Sequence, residues 1–287
     1  MQVVPVLPLW NWRTARVPVL TTQLRRLRAR SCGIFYPLSL DRAADVDTRA
    51  KVCTQIMTEL RNVARDLDVT VVLHTEYMNP PWTSSEQCSK YINRIKALTE
   101  ELCKLEYRVC IELHPGFVPL SAFKKALIEL ANQVQSLGDK VAIAIEPRTG
   151  APTMRRPQVI STLTDLALLL KTVDTIPTKV IPVLDISQLV TALQIRYNLS
   201  EGEAIDLLKY ELETLSELCQ RSGVAEVHIH WHWRNRPIPP QIATKLVDVL
   251  KPYLKNFTTM YLVPEILGAT ADLLVTTLQR ATTLLTK

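Results

Sequence analysis

Glycine is scarce in this chain, seven residues in 287, where about 7% is usual. So few cannot furnish the glycine-rich loops that cradle phosphates, and no Gly-x-Gly-x-x-Gly follows any strand candidate. No apolar run approaches the ~20 residues of a membrane-spanning helix, so no membrane partner is expected. The start, Met1-Gln2-Val3-Val4-Pro5-Val6-Leu7-Pro8, lacks the basic segment of a signal peptide, and prolines interrupt its apolar part. It reads as the first strand of a cytoplasmic protein. Cys32, Cys53, Cys88, Cys103, Cys110 and Cys219 form no Cys-x-x-Cys and no regular spacing, so buried thiols are expected rather than a zinc knuckle or a disulfide framework. Neither a linker nor an internal repeat breaks the chain, and residues 1–287 are expected to form one domain.

Hydrophobic residues make up 47% of the sequence and charged residues 22%, enough apolar content for a full core. Thirty-four Lys and Arg against 28 Asp and Glu leave a net charge of +6. That balance suits an anionic partner such as DNA or a sugar phosphate; it fits equally a basic protein with no such partner. Arg25, Arg26, Arg28 and Arg30 are expected on one helix as a solvated face.

Strand and helix signals alternate from end to end. Nearly continuous Val- and Ile-rich runs, the signature of parallel strands covered on both faces, occur at Val3–Leu7, Cys32–Tyr36, Val69–His74, Arg108–His114, Lys140–Glu146, Lys179–Asp185, Glu226–His232 and Thr258–Glu265. Helical periodicity lies between and after them, at Thr21–Arg30, Asp47–Leu67, Ser84–Leu105, Leu120–Leu137, Pro157–Val173, Ser200–Ser222, Pro239–Leu254 and Thr270–Thr286. Eight such units predict the α/β class and a single (β/α)8 TIM barrel. A doubly wound open sheet is the alternative, disfavoured by the missing glycine loop.

Barrel enzymes place their chemistry at the carboxyl ends of the strands. Here strand three ends in His74, strand four in His114-Pro115-Gly116, strand five in Glu146-Pro147-Arg148, strand six in Asp185 and strand eight in Glu265. Strand seven carries His228, His230 and His232 at alternate positions, which puts all three on one face. The chain's five histidines all fall at these ends. Carboxylates crowded around a barrel mouth repel and are costly to bury. A divalent cation neutralises them and takes both imidazole and carboxylate as ligands.

The segment Ile111-Glu112-Leu113-His114-Pro115-Gly116, with His74 forty residues before His114, resembles the xylose isomerase-like TIM-barrel superfamily. Within it, the ordered series His, His-Pro-Gly, Glu, Asp, His, Glu on strands three to eight is most similar to the endonuclease IV family of AP endonucleases (AP endonuclease family 2). The similarity runs from about His74 to Glu265 as a pattern of motifs. The resemblance implies that His74, His114 and Glu146 bind a first metal, and that Glu146 bridges to a second held by Asp185, His228 and Glu265. The ions would be zinc, two per chain, or manganese. The family's strand-six Asp-x-x-His reads Asp185-Ile186-Ser187-Gln188 here, and its Asp-x-His after strand seven is missing. Both hold the third zinc, so a two-metal site is expected. Related sugar isomerases and epimerases share a smaller set resembling Glu146, Asp185, His228 and Glu265 around one metal.

Three functions follow. The first is a metal-dependent phosphodiesterase acting on nucleic acid, with two ions stabilising an in-line displacement. Arg148, Arg234 and Arg236 would contact phosphate or stand as loop-surface charges, Gln188, His230 and His232 would meet substrate, and Trp82, Trp231 and Trp233 would stack on a base or fill an abasic gap, or else pack in the core or at the rim. The second is a one-metal sugar isomerase or epimerase with Glu146 and Glu265 as the catalytic pair, acting on a sugar or phosphorylated substrate. The third is a barrel that keeps the metal framework without activity. Oligomeric state is not encoded in any of these signals.

Overall fold

A computed structural model describes residues 1–38, 46–76, 80–149, 158–173, 176–219, 223–230, 249–254, 256–266 and 268–286. Each of the eight apolar runs is a strand: β1 Gln2–Pro8, β2 Ser31–Pro37, β3 Asp68–His74, β4 Arg108–Leu113, β5 Val141–Ile145, β6 Lys179–Asp185, β7 Val224–His228 and β8 Thr259–Val263. Every strand pairs in parallel with the next, and β8 returns to β1 to close the barrel. The helices are α1 Val17–Arg26, α2 Val46–Val63, α3 Ser85–Lys104, α4 Leu120–Val134, α5 Leu163–Thr172, α6 Ile186–Tyr197, α7 Glu201–Cys219, α8 at 249–254 and α9 Ala271–Thr286. The architecture is the expected (β/α)8 TIM barrel. Among the described residues, no helix is long and apolar enough to cross a membrane.

Alternation along each strand divides the core into two shells. Outward residues such as Val71, Leu73, Ile111, Leu113, Ile143 and Leu184 pack beneath the helices. Inward residues such as Val6, Phe35, Val72, Cys110, Val183 and Val263 fill the lumen. Each large apolar side chain so buried stabilises the fold by about 1.5–3 kcal/mol. The lumen filling stops short of the carboxyl ends of the strands, where the inward positions become polar. Cys32, Cys53, Cys88, Cys103 and Cys110 are buried free thiols.

Some element boundaries differ from the sequence expectation. Helix α1 begins at Val17 rather than Thr21 because Pro18 occupies its first turn, where a missing N–H is harmless. It ends at Arg26, and Arg28 takes a left-handed φ of 55°, so the four arginines do not share a helix. Helix α5 begins at Leu163, set by a capping box between Thr162 and Asp165. The strand expected over Glu226–His232 ends at His228, with His230 still inward and buried. Helix α6 was not anticipated. It starts directly on Asp185, whose Oδ1 accepts from the Gln188 backbone N–H at 3.0 Å, and stops at left-handed Asn198.

Candidate metal centre

The six strand-end residues converge. Pairing places His74 beside Glu112 across β3 and β4, and Asp185 beside His228 across β6 and β7. His74, His114, Glu146, Asp185, His228, His230 and Glu265 are all buried, none more than 5% exposed.

One cluster forms between β3, β4 and β5. The His74 and His114 rings meet edge to face with centroids 4.6 Å apart. His114 Nε2 lies 2.5 Å from Glu146 Oε2 and 3.4 Å from Glu112 Oε1. Local structure fixes the His114 backbone. Trp82 Nε1 donates to its carbonyl oxygen at 2.8 Å, and the Gly116 N–H donates to Gln158 Oε1 at 2.9 Å. Gly116 has a φ of +74°, and a Cβ there would come 2.5 Å from Pro80 Cγ; the His-Pro-Gly motif therefore requires glycine at its third position.

The other cluster centres on His228. Its Nδ1 lies 3.6 Å from Glu265 Oε2, 3.9 Å from Asp185 Oδ2 and 4.0 Å from Glu146 Oε1. Its Nε2 sits 3.0 Å from Glu226 Oε1, in the barrel interior below. His230 Nε2 lies 2.8 Å from Asp185 Oδ2 and 3.7 Å from Glu265 Oε2. Glu226 takes a second contact, from Cys110 Sγ to its Oε2 at 3.7 Å.

Glu112, Glu146, Asp185, Glu226 and Glu265 thus bring five buried carboxylates together, and Arg148 is the guanidinium among them. Burial pushes Glu146 above the usual carboxylate range; burial and then the Glu226 carboxylate push Glu112 well above it. Burial opposes ionisation of Asp185 and Glu265 too, but neighbouring imidazoles win: His230 and His228 hold Asp185 well below its ordinary value, and His228 lowers Glu265. Against burial, the same pairings raise His228, through Glu265 and Glu112, and His230, through Asp185. Burial drives both His74 and His114 down, aided at His74 by the His114 ring and at His114 by Arg148, so these two rings are neutral, the form that binds metals. Excess buried carboxylate, neutral imidazoles and mixed N/O donors fit a hard or borderline divalent cation. Among the described residues, four groups place one donor atom from each residue within 4.8 Å of the others: His74–Glu112–His114–Glu146, Glu112–Glu226–His228, Glu146–Asp185–His228 and Asp185–His230–Glu265.

The sequence matches no family model and no curated protein. Solved structures do match. A xylose isomerase domain protein from Alicyclobacillus acidocaldarius is 15% identical, with 99% of this chain and 98% of that chain covered at a TM-score of 0.63. The IOLI protein, solved with a bound zinc atom, is 13% identical over 100% and 98% of the two chains, TM-score 0.62. An AP endonuclease, family 2, from Brucella melitensis is 12% identical over 94% and 95%, TM-score 0.52. The fold is the (β/α)8 barrel that these solved structures share.

On this barrel the remaining candidates fall into place as follows. Arg148 follows Glu146, with Nη1 3.7 Å from Glu146 Oε2 and its side chain 15% exposed. Gln188, in the first turn of α6, is buried, and its Oε1 accepts from Thr149 Oγ1 at 2.8 Å. Gln188 is thus a neutral amide tied to a neighbouring loop. Trp82 is buried against Tyr91 and Phe123 and braces His114 rather than facing solvent. His232, Arg234, Arg236, Trp231 and Trp233 lie outside the described residues. Sequence reasoning missed Glu112 and Glu226. The signal was available: each stands two residues before an assigned histidine, and so on the same face of its strand.

Proposed function

We propose that this chain is a divalent-metal-dependent isomerase or epimerase of a small polyhydroxylated carbonyl compound, working by proton transfer at the carbon beside the carbonyl. One observation carries the reading: Glu146 and Glu265, on strands three apart around the ring, both face the Nδ1 edge of His228, at 4.0 and 3.6 Å. A substrate held between them would meet a carboxyl group on each side. Their surroundings push them apart, Glu146 upward and Glu265 downward, the separation that assigns one group as acid and the other as base. Glu265 would take the proton from carbon, and Glu146 would return one. Glu146, Asp185, His228 and Glu265 fit a divalent cation, which when bound would polarise the substrate's oxygens. Phe35, 4.9 Å from the His74 ring and 5.4 Å from Trp10, supplies an apolar wall to the same space. Arg148 supplies a fixed positive charge, suited to a phosphorylated or acidic substrate.

The test is solvent exchange. Metal-loaded protein incubated with ketoses and aldoses, free and phosphorylated, in D2O is expected to incorporate deuterium at the carbon beside the carbonyl, and Glu265→Gln to abolish it.

A second reading, hydrolysis of a phosphodiester in nucleic acid, is favoured by the cluster of His74 and His114, which the four-residue isomerase set leaves unused. Incision of an abasic-site duplex, lost in Glu146→Ala, without deuterium incorporation into any sugar, would replace the first reading with this one.

A further inference from the structure

We propose that Glu112 is a metal ligand, completing with His74, His114 and Glu146 a four-donor pocket of two imidazoles and two carboxylates beside the His228 cluster. This deepens the metal-dependent reading and rests on it.

Glu112 points into the lumen two residues before His114, and it is fully buried. Its Oε1 lies 3.4 Å from His114 Nε2 and 3.8 Å from His74 Nε2. Donors bound tetrahedrally at zinc-like bond lengths stand about 3.4 Å from one another. These separations are therefore ligand-to-ligand spacings, longer than hydrogen bonds. Neither Glu112 oxygen receives a hydrogen bond of acceptable geometry, although both are shielded from solvent. A buried carboxylate in that condition is strongly destabilising unless a cation or a shared proton compensates it.

The arrangement around it favours the cation. The facing atoms are imidazole nitrogens of His74, His114 and His228, the last 3.8 Å from Oε2, and an oxygen of Glu146, and the four donors of the pocket lie within 4.8 Å of one another. Trp82 and Gln158 fix the backbone at the His114 carbonyl and at Gly116, the support that a precise ligand needs. Glu146 borders both clusters, so without Glu112 the His74–His114 pocket would have no carboxylate of its own. With it, the pocket has one carboxylate of its own and shares a second, Glu146, with its neighbour.

The experiment is titration of metal-stripped full-length chain with Co²⁺, following visible absorption, with Zn²⁺ per chain counted after dialysis. Wild type is expected to take up two ions. Glu112→Gln is expected to keep its circular dichroism and one ion while the other weakens on the order of 100-fold, at or above the top of the range for residues that only support a ligand. Glu112→Asp, which keeps the charge on a shorter arm, is expected to weaken the same ion at least tenfold, and it stands in if the glutamine variant does not fold. Two ions with unchanged affinities in either variant overturn the assignment and leave a proton shared between Glu112 and Glu146. Failure of wild type to bind any ion is a separate result that removes the metal reading of the whole centre.

Discussion

Glu226 Oε1 stands 3.0 Å from His228 Nε2, in the barrel interior beneath the candidate centre. The Nε2 edge of the ring is therefore used, and Nδ1 is the edge turned toward Asp185, Glu146 and Glu265. A carboxylate behind a ligating imidazole fixes its tautomer and raises its basicity, and removing such a partner weakens metal affinity by about 10- to 100-fold. Glu226→Gln should bind the ion nearest His228 correspondingly less tightly, and nitrogen NMR of zinc-loaded wild type should show the Nε2–H tautomer. An Nδ1–H tautomer in the zinc-loaded protein would contradict the arrangement.

Activity should fall on the acid side with the protonation of Glu265. Opposing its burial, His228 holds this carboxylate below the ordinary range, about 4.3 for glutamate. Its base form persists above that range and is lost as pH falls through the lowered value. A pH–rate profile of deuterium exchange should thus stay flat down to about pH 5. An acid limb near neutrality would mean that another group is the base.

His230 supplies a stability signal of opposite sign. Despite burial, Asp185 raises its pKa. The contribution of the charged ring is therefore complete below the ordinary imidazole value of about 6.5 and is lost as pH rises through the raised folded value. Metal-free wild type should exceed His230→Gln by roughly 1.5–3 kcal/mol at low pH, as for a hydrogen bond between charged groups. Urea unfolding at a series of pH values should show that gap closing above neutrality. A gap that stays constant would mean that the ring is not charged.

Gly116→Ala should lower stability by about 1–3 kcal/mol, the usual range for a side chain forced into a sparsely allowed backbone region. Its Cβ would meet Pro80 while the backbone remains at φ +74°. Thermal melts with and without Zn²⁺ check this, and the loss should carry over to ion affinity through His114. A neutral substitution would show that the Pro80 segment gives way freely.

Trp82→Phe keeps the packing against Tyr91 and Phe123 but removes the donor to the His114 carbonyl. About 1–3 kcal/mol should be lost, the penalty for leaving a buried acceptor unsatisfied. Chemical denaturation measures it.

The barrel was legible in the sequence because eight apolar runs each required cover on both faces. The candidate strand-end ligands were legible because His74, His114, Glu146, Asp185, His228 and Glu265 interrupt or end those runs. Glu112 and Glu226 were harder to read. Each lies inside a run, where a carboxylate reads as an exception until register shows which way it points. Helix α6 was hidden by Asp185 itself, which serves as N-cap and as candidate ligand at once, so that a residue assigned to chemistry obscured the start of an element. Trp82 illustrates the converse, since an aromatic near the mouth reads as a stacking surface until its indole is found spent on a backbone oxygen.

The five carboxylates gathered around Arg148 also bear on how the chain survives before it works. An ion that binds the folded barrel and not the unfolded chain adds about 2.7 kcal/mol when its free concentration is a hundred times its dissociation constant. That is a large share of the stability of an ordinary domain. The amount of folded protein in a cell would then follow the free supply of the ion, with starved chains passing to the proteases.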